Sequence, residues 1–230
     1  VDNTSSGSKI TDETNKTYNP PTNTVGEIFY YAVISFSSGG CAEIVSSTAS
    51  VVINEIPVIN DAEVTIYSED TFNFDPISNI GNTVPNGTKY TWPEPTYTPV
   101  GSIIGASAAP NPQDNISQML ENTGTSVVVV TYIITPATIA CIGDPFVLKV
   151  TVNPNISSNA IVTNLNCFEA NDGTITTTIE GGIPFTAGEP YLISWSGPNG
   201  YTSTNSNISN LSSGIYLLKI EDSTGFFITE

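Results

Sequence analysis

The stretch CFEANDGTI, residues 167–175, places a thiol, two acids, several side-chain oxygens and a glycine within nine positions. These residue types suit three structures: a cysteine nucleophile beside an acid, a calcium loop, or a turn between two strands. A nucleophilic cysteine needs a base that forms its thiolate, and neighbouring acids oppose that step. The sequence therefore argues against catalysis at Cys167 and predicts a cysteine buried in the core.

Calcium binding would use the oxygen ligands that the chain concentrates near turns and in its first linker. The alternating D-x-D-x-D-G run of a calcium loop is absent from these places. At residues 171–173 the alternative is a tight turn, because Asn-Gly and Asp-Gly pairs supply positive φ. The sequence leaves both interpretations open, and calcium is the one cofactor that we consider. The candidate ligands are Asn171, Asp172, Asp222, Asp61 and Glu63.

Composition excludes several classes of function. The 230 residues include 22 acids and five basic residues, all of them lysine, which gives a net charge of −17. Without histidine, no side chain has an ordinary pKa that suits proton transfer near neutrality, and so few cations disfavour nucleic acid or acidic membranes as partners. The adjacent acids Glu69–Asp70 and Glu221–Asp222 point to opposite strand faces, so neither forms the opposed pair of a glycosidase. We therefore expect a protein that is not an enzyme.

The chain is predicted to be all-β. Its apolar runs are short, rich in Val, Ile, Tyr and Thr, and bounded by Gly, Pro, Asn or Ser, which is typical of strands and turns. In FVLKVTV, residues 146–152, alternate side chains share a face, with Phe146, Leu148 and Val150 on the buried one. The helical candidate ISQMLEN, residues 116–122, is too short to stand alone and is expected to form a turn or a strand.

Self-comparison divides the chain into three units. The pattern YAVISFSSGGC, ending at Cys41, recurs about 100 residues later as TYIITPATIAC, ending at Cys141. Each copy is followed by a connector that contains Asn and Pro, which is typical of a stiff linker between sandwiches. We therefore place domains at residues 1–57, 58–154 and 155–230. The first unit is expected to be the closing half of a domain whose opening half lies upstream.

The third unit carries two features of an immunoglobulin-like sandwich. Leu211, Gly214 and Tyr216 precede a core strand in the arrangement of a tyrosine corner, whose hydroxyl bonds back to an upstream connection. Trp195 lies in mid-strand with apolar alternation, as the core Trp of a sandwich does. The predicted fold is therefore a series of immunoglobulin-like β-sandwich domains joined by short linkers.

The third unit combines several short motifs: Cys167–Phe168, Asn171–Gly173, Gly181–Gly182 with Pro184, Trp195, the stretch from Leu211 to Tyr216, and the closing turn from Asp222 to Gly225. Through this combination it resembles the SprB repeat, which occurs in very large surface adhesins of gliding Bacteroidetes. The second unit resembles the PKD-like domains that accompany such repeats, through YTWPEP (90–95) and CIGDPFVLKVTVNP (141–154). The first unit is similar to the closing half of an immunoglobulin-like module from the same proteins.

This resemblance implies a fragment of a large repetitive adhesin. It implies secretion by the type IX route, display on the cell surface in association with the outer membrane, and a role as a stalk in attachment and gliding. The implied partners are the neighbouring domains of the same long chain, the gliding and secretion machinery, and a surface polysaccharide or glycan.

The chain departs from both family patterns at cysteine positions. The PKD-like pattern pairs its late cysteine with one in the opening strand, where this chain has Tyr67. The SprB repeat tends to carry a second cysteine after its closing turn, where this chain has Phe226 or Phe227. The resemblance therefore implies three unpaired, structural cysteines in this fragment.

A second interpretation is a carbohydrate-binding module of a secreted multidomain protein. Tyr90, Trp92 and Tyr97 lie among prolines, and Tyr201 lies in a Gly-rich loop, so their rings would form a platform for sugars. The same rings are also explained by packing in the core or against a linker. The lack of histidine, the modular organisation and the family resemblance favour the adhesin.

Overall fold

The structure, a computed structural model, describes residues 7–11, 13–36, 40, 42–167 and 170–230. Regular structure in these residues consists of β-strands and two short 3₁₀ turns, Pro76–Ser78 and Pro198–Gly200. Every strand pair in them lies within one of three consecutive segments of the chain. The predicted all-β class is therefore confirmed. No helix of the described chain has the length and apolar character that a membrane crossing requires.

The first segment forms two antiparallel ribbons. Their strands are β1 (Gly26–Tyr30), β2 (Val33–Ile34), β3 (Ile44–Val45) and β4 (Ala49–Ile53). β1 pairs with β4, and β2 pairs with β3. Phe29, Ile34 and Ile44 are each more than half exposed, because a two-stranded ribbon buries little apolar surface by itself. Cys41, predicted to be structural, lies outside the described residues.

The second segment is a sandwich of nine strands. The strands are β5 (Ala62–Tyr67), β6 (Thr71–Phe74), β7 (Lys89–Trp92), β8 (Ile103–Ile104), β9 (Ala109–Gln113), β10 (Ile116–Met119), β11 (Glu121–Asn122), β12 (Val128–Ala137) and β13 (Phe146–Asn153). Five of them form a sheet in the order β5-β13-β12-β7-β9, and two short pairs, β6–β10 and β8–β11, complete the domain. Phe72 and Ile116 of the β6–β10 pair share one core with Tyr132 and Leu148 of the large sheet. The stretch ISQMLEN forms strands, as expected.

The first and last strands of this sandwich run parallel to each other. Six residue pairs join β5 to β13, from Ala62 opposite Leu148 to Tyr67 opposite Asn153. On β13 the predicted alternation is confirmed, since Leu148 and Val150 are fully buried while Lys149 between them is exposed. The two ends of the domain are therefore hydrogen-bonded to each other at the edge of its main sheet.

The third segment is a smaller sandwich of two sheets. The strands are β14 (Ser157–Thr163), β15 (Gly173–Glu180), β16 (Leu192–Ser196), β17 (Thr202–Ser203), β18 (Ile208–Leu211), β19 (Leu217–Glu221) and β20 (Phe227–Thr229). One sheet has the order β14-β15-β18, and the other has the order β17-β16-β19-β20. Ile175 and Ile208 of the first sheet pack with Leu218 and Ile220 of the second in one core.

The residues expected to define a tyrosine corner lie around that core. The Tyr216 hydroxyl donates a hydrogen bond to the Ser212 carbonyl oxygen at 3.1 Å, which closes the connection before β19. Leu211 is buried, and a Cβ at Gly214 would lie 2.3 Å from Pro198 Cγ, so only glycine fits there.

Trp195 lies in the centre of the same sandwich. Its side chain is 3% exposed, and Nε1 donates to the Asn205 carbonyl oxygen at 3.0 Å. The apolar body of the ring therefore fills the core while its one donor is satisfied.

Candidate functional site

Residues 171–173 lie in the connection from β14 to β15. Asp172 is exposed, and its carboxylate accepts the backbone N–H of Asn166 at 3.3 Å and the Asn166 side-chain amide. The side-chain bond first, and then the backbone bond, lowers the pKa of Asp172. None of the three residues has positive φ, so the predicted turn conformation is wrong. Gly173 instead opens β15, where a Cβ would lie 3.2 Å from the Leu211 carbonyl oxygen.

The cysteines have two different environments. Cys167 is exposed, so the prediction of a core thiol is wrong. The reason is its position in the connection after β14, whereas the core is built from inward strand positions. Cys141 is half-buried, with its Sγ 3.9 Å from the Asn54 carbonyl oxygen. Both are free thiols.

Asp222, in the third domain, has a buried carboxylate, and the residue is only 1% exposed. Its Oδ2 accepts the backbone N–H of Ile183 and the hydroxyl of Tyr67, each at 2.9 Å. Its Oδ1 accepts the Thr224 backbone N–H at 2.9 Å, the Thr224 hydroxyl at 2.7 Å and the Phe226 N–H at 3.2 Å. Protein donors therefore occupy both oxygens of this calcium candidate.

These donors also set its charge state. Burial raises the pKa of Asp222. The hydrogen bonds from Thr224, Ile183 and Tyr67 together lower it by more than burial raises it, so the pKa lies below its ordinary value. Burial, above all, raises the pKa of Tyr67. At neutral pH the pair is therefore a charged carboxylate that accepts a hydrogen bond from a neutral phenol.

The remaining calcium candidates lie mainly beside β5 and β13. Asp61 Oδ1 accepts the Val147 backbone N–H at 2.7 Å, and Glu63 forms an exposed ion pair with Lys149 at 3.5 Å. Asn171 is exposed in the connection already described. The candidates do not converge: in the described ranges, no three acidic, thiol or imidazole side chains are grouped as a metal site would require.

The predicted sugar platform is packed into the protein. Tyr90 and Trp92 are each 4% exposed, and Trp92 Nε1 donates to the Ser107 carbonyl oxygen at 2.9 Å. Tyr97 packs on the same core, and Tyr201 lies edge-on against the corner tyrosine with ring centroids 5.3 Å apart. Because Tyr90 and Trp92 are buried, they are not free to stack on a sugar, whereas Tyr97 and Tyr201 are half-buried.

A shallow groove of about 440 Å³ lies at one end of the second domain. Asp75, which caps the first 3₁₀ turn, and Asp114, which pairs with Lys89, line it together with amide and hydroxyl groups. Burial first, and then the charge of Asp75, raises the pKa of Tyr90 at its wall. Phe74 and Tyr90 are 7% and 4% exposed, so the groove presents neither ring face, and the exposed Ile77 adds apolar surface beside its polar groups.

A ring contact next to Asp222 is not visible from the sequence pattern. The rings of Tyr67, at the end of β5, and Phe226, before β20, stack with centroids 4.2 Å apart and planes 15° apart. The resemblance implies that Tyr67 replaces one family cysteine and that Phe226 or Phe227 replaces another, which was the one signal in the sequence at these positions. The structure brings them together across the boundary between the second and third domains.

The fold defines the chain as a tandem array of immunoglobulin-like β-sandwiches. Residues 64–156 match the family model for the PKD-like domain, and residues 159–200 match the model for the SprB repeat. The chain therefore contains a PKD-like domain followed by a SprB repeat, which confirms the resemblance. This pair of modules indicates an adhesin-like repetitive protein exposed at the cell surface.

Among solved structures, the chain is similar to the crystal structure of Dscam1 isoform 6.9, N-terminal four Ig domains. The identity is 11% and the TM-score 0.31, over 82% of this chain and 49% of that one. The chain thus spans about half the length of that structure. No curated protein matches the chain.

Proposed function

We propose that this chain is a load-bearing stalk segment of a large cell-surface adhesin, which serves in surface attachment and gliding and has no catalytic role. Secretion by the type IX route and association with the outer membrane belong to the same proposal. The observation that supports it is the parallel pairing of β5 with β13 at the two ends of the second domain.

Parallel pairing of the end strands determines how the domain meets tension. A pull on the chain ends acts on Ala62, at the start of β5, and on Asn153, at the end of β13. These residues lie at opposite ends of the paired region, because the strands run in the same direction. The pull therefore slides the strands past each other and loads all their shared hydrogen bonds together. Bonds that must break together resist more force than bonds that open one by one.

The other support is the lack of a catalytic arrangement in the described residues. The buried carboxylate, Asp222, is held charged by protein donors rather than raised in pKa as a catalytic acid would be. The chain has no histidine that could serve as a base near neutrality. Its sandwich cores, short linkers and acidic surface suit an extended spacer instead.

Single-molecule force spectroscopy tests the load-bearing role. The chain is pulled from its two ends, and separately from handles at residues 60 and 144, with the native cysteines changed to serine in both cases. Residues 60 and 144 precede β5 and β13 and lie at the same end of the pair, so this second pull opens the strands bond by bond. Unfolding of the second domain releases about 300 Å of extended chain, which identifies the event.

We expect a several-fold higher rupture force for the end-to-end pull than for the same-end pull. Equal forces, or a lower force in the end-to-end pull, would contradict a stalk built on this strand pair. The fold is the same in both measurements, so the comparison depends on the direction of loading alone.

The cellular role needs a separate test in the bacterium that makes the protein. We expect antibodies against residues 58–230 to label intact cells, and an in-frame deletion of these residues to reduce attachment and spreading on agar. Normal attachment and spreading with the truncated protein displayed at normal levels would rule out a role of this segment in adhesion.

A further inference from the structure

We propose that the turn Asp222–Phe226 is an interaction surface for the end of β5 in the preceding domain, and that it joins the second and third domains into one rigid body. The partner of this surface is thus the tyrosine-bearing end of β5, which lies beside the end of β13, where the linker begins. The proposal concerns the geometry between two domains and holds whatever role the chain has.

The linker between the two domains is short and fixed. β13 ends at Asn153 and β14 begins at Ser157. Pro154 and Ile156 between them are buried. The Ser68 backbone N–H donates to the Asn153 carbonyl oxygen at 2.8 Å, which ties the start of the linker to the second domain.

The third domain holds the same linker from the other side. The Gly182 N–H donates to the Pro154 carbonyl oxygen at 3.2 Å. The Asn155 side-chain amide donates back to the Ser68 carbonyl oxygen at 3.2 Å. The linker is therefore bonded to both domains, through the Pro154 carbonyl to the third and through the Asn155 side chain to the second, whereas a flexible linker would be solvated.

Two glycines permit this close approach. A Cβ at Gly181 would lie 2.1 Å from the Asn155 carbonyl oxygen, and a Cβ at Gly182 would lie 2.6 Å from Ile156 Cγ1. Both glycines also have positive φ, 74° and 61°. The loop after β15 can therefore lie directly on the linker only because neither residue has a side chain.

Side chains of the two domains complete the joint. The Tyr67 ring stacks on Phe226, and its hydroxyl donates to Asp222 Oδ2 and contacts the Thr224 hydroxyl. The Ser223 N–H donates to the Ile183 carbonyl oxygen at 2.9 Å, so the turn is braced against the glycine loop. An apolar stack and a charged hydrogen bond between the same two elements fix both distance and rotation.

The test is the distance distribution between the domains in the full chain, measured by pulsed electron spin resonance. Spin labels are placed at two exposed positions, residues 149 and 202, with the native cysteines changed to serine. We compare the parent with Phe226→Ala and with its neighbour Phe227→Ala, which is exposed and lies outside the stack. Tyr67→Phe, which keeps the ring and removes the hydroxyl, is compared with Tyr97→Phe, which loses a hydroxyl bond inside the second domain.

We expect one narrow distance peak in the parent, in Phe227→Ala and in Tyr97→Phe. We expect Phe226→Ala to lose that peak and Tyr67→Phe to broaden it. A broad distribution in the parent, or a peak in Phe226→Ala identical to that of the parent, would overturn the proposal. Should Phe226→Ala unfold the third domain, Tyr67→Ala removes the same stack from the other side and decides the question.

Discussion

At the scale of single residues, Asp222 has the most consequences. It is a buried charge that is stable only because five donor contacts converge on it. Its pKa lies below the ordinary value, so folding favours the ionised form. The contribution of Asp222 to stability is therefore fully present above the pKa of the unfolded chain, about 3.9, and is lost as the pH falls through the lower pKa of the folded state.

We predict that the third domain keeps constant stability from neutral pH to about pH 5 and loses it progressively below about pH 4. Asp222→Asn should lower its stability at pH 7 by about 2 to 3 kcal/mol and remove much of the acid dependence. The measurement is urea unfolding at several pH values, followed by hydrogen exchange in peptides from residues 157–230. The exposed Glu189→Gln, in the same domain, is the matched control and should keep the acid dependence. An unchanged acid slope in Asp222→Asn would contradict the assignment.

At the scale of elements, two glycines in the loop after β15, Gly181 and Gly188, have different surroundings. Gly181 has positive φ and also lies against the linker backbone. Gly188 has a similar φ of 79° but open space where a side chain would be. The two positions therefore separate backbone strain from steric contact.

We predict that Gly181→Ala destabilises the third domain by about 2 kcal/mol or more, because strain and a backbone clash act together. Gly188→Ala should cost only about 1 kcal/mol, from the unfavourable φ alone. Urea unfolding of both variants measures the difference. Equal losses would show that the linker moves aside, and the close approach would then have no energetic importance.

The elements also show what sequence reasoning can reach. Alternation predicted the buried face of β13 because a strand built with period two records burial locally. The contact between Tyr67 and Asp222 joins residues 155 positions apart in two different domains, and no local period encodes such a pair. The prediction of a buried Cys167 was wrong for a related reason, since no local pattern shows that this cysteine lies in the connection between β14 and β15.

At the scale of the whole molecule, the net charge of −17 acts on every equilibrium. Divalent cations screen this self-repulsion whether or not they bind a specific site. The five proposed calcium ligands do not converge, and Asp222 has its oxygens occupied. Screening therefore predicts that calcium and magnesium stabilise the fold equally, whereas a specific calcium site predicts stabilisation by calcium alone.

We predict that calcium and magnesium, at equal concentration, raise the thermal midpoint by the same small amount. The measurement is thermal unfolding with each ion and with chelator, at constant ionic strength. A calcium site saturated at 100 times its Kd would instead add about 2.7 kcal/mol. For a domain of this size that is a shift of about 10 °C or more, seen with calcium alone. Such a shift would contradict the prediction and restore calcium as a structural ligand.

The β5–β13 pair has one more consequence, for the order of events in folding. Its contacts span 86 positions, as between Asp61 and Val147, so among the described strands the first strand of the second domain has no hydrogen-bonded partner until the last strand is available. Closing so long a loop is entropically costly and slows folding. The domain is therefore completed by its last strand, and the same strand leads directly into the linker on which the third domain rests.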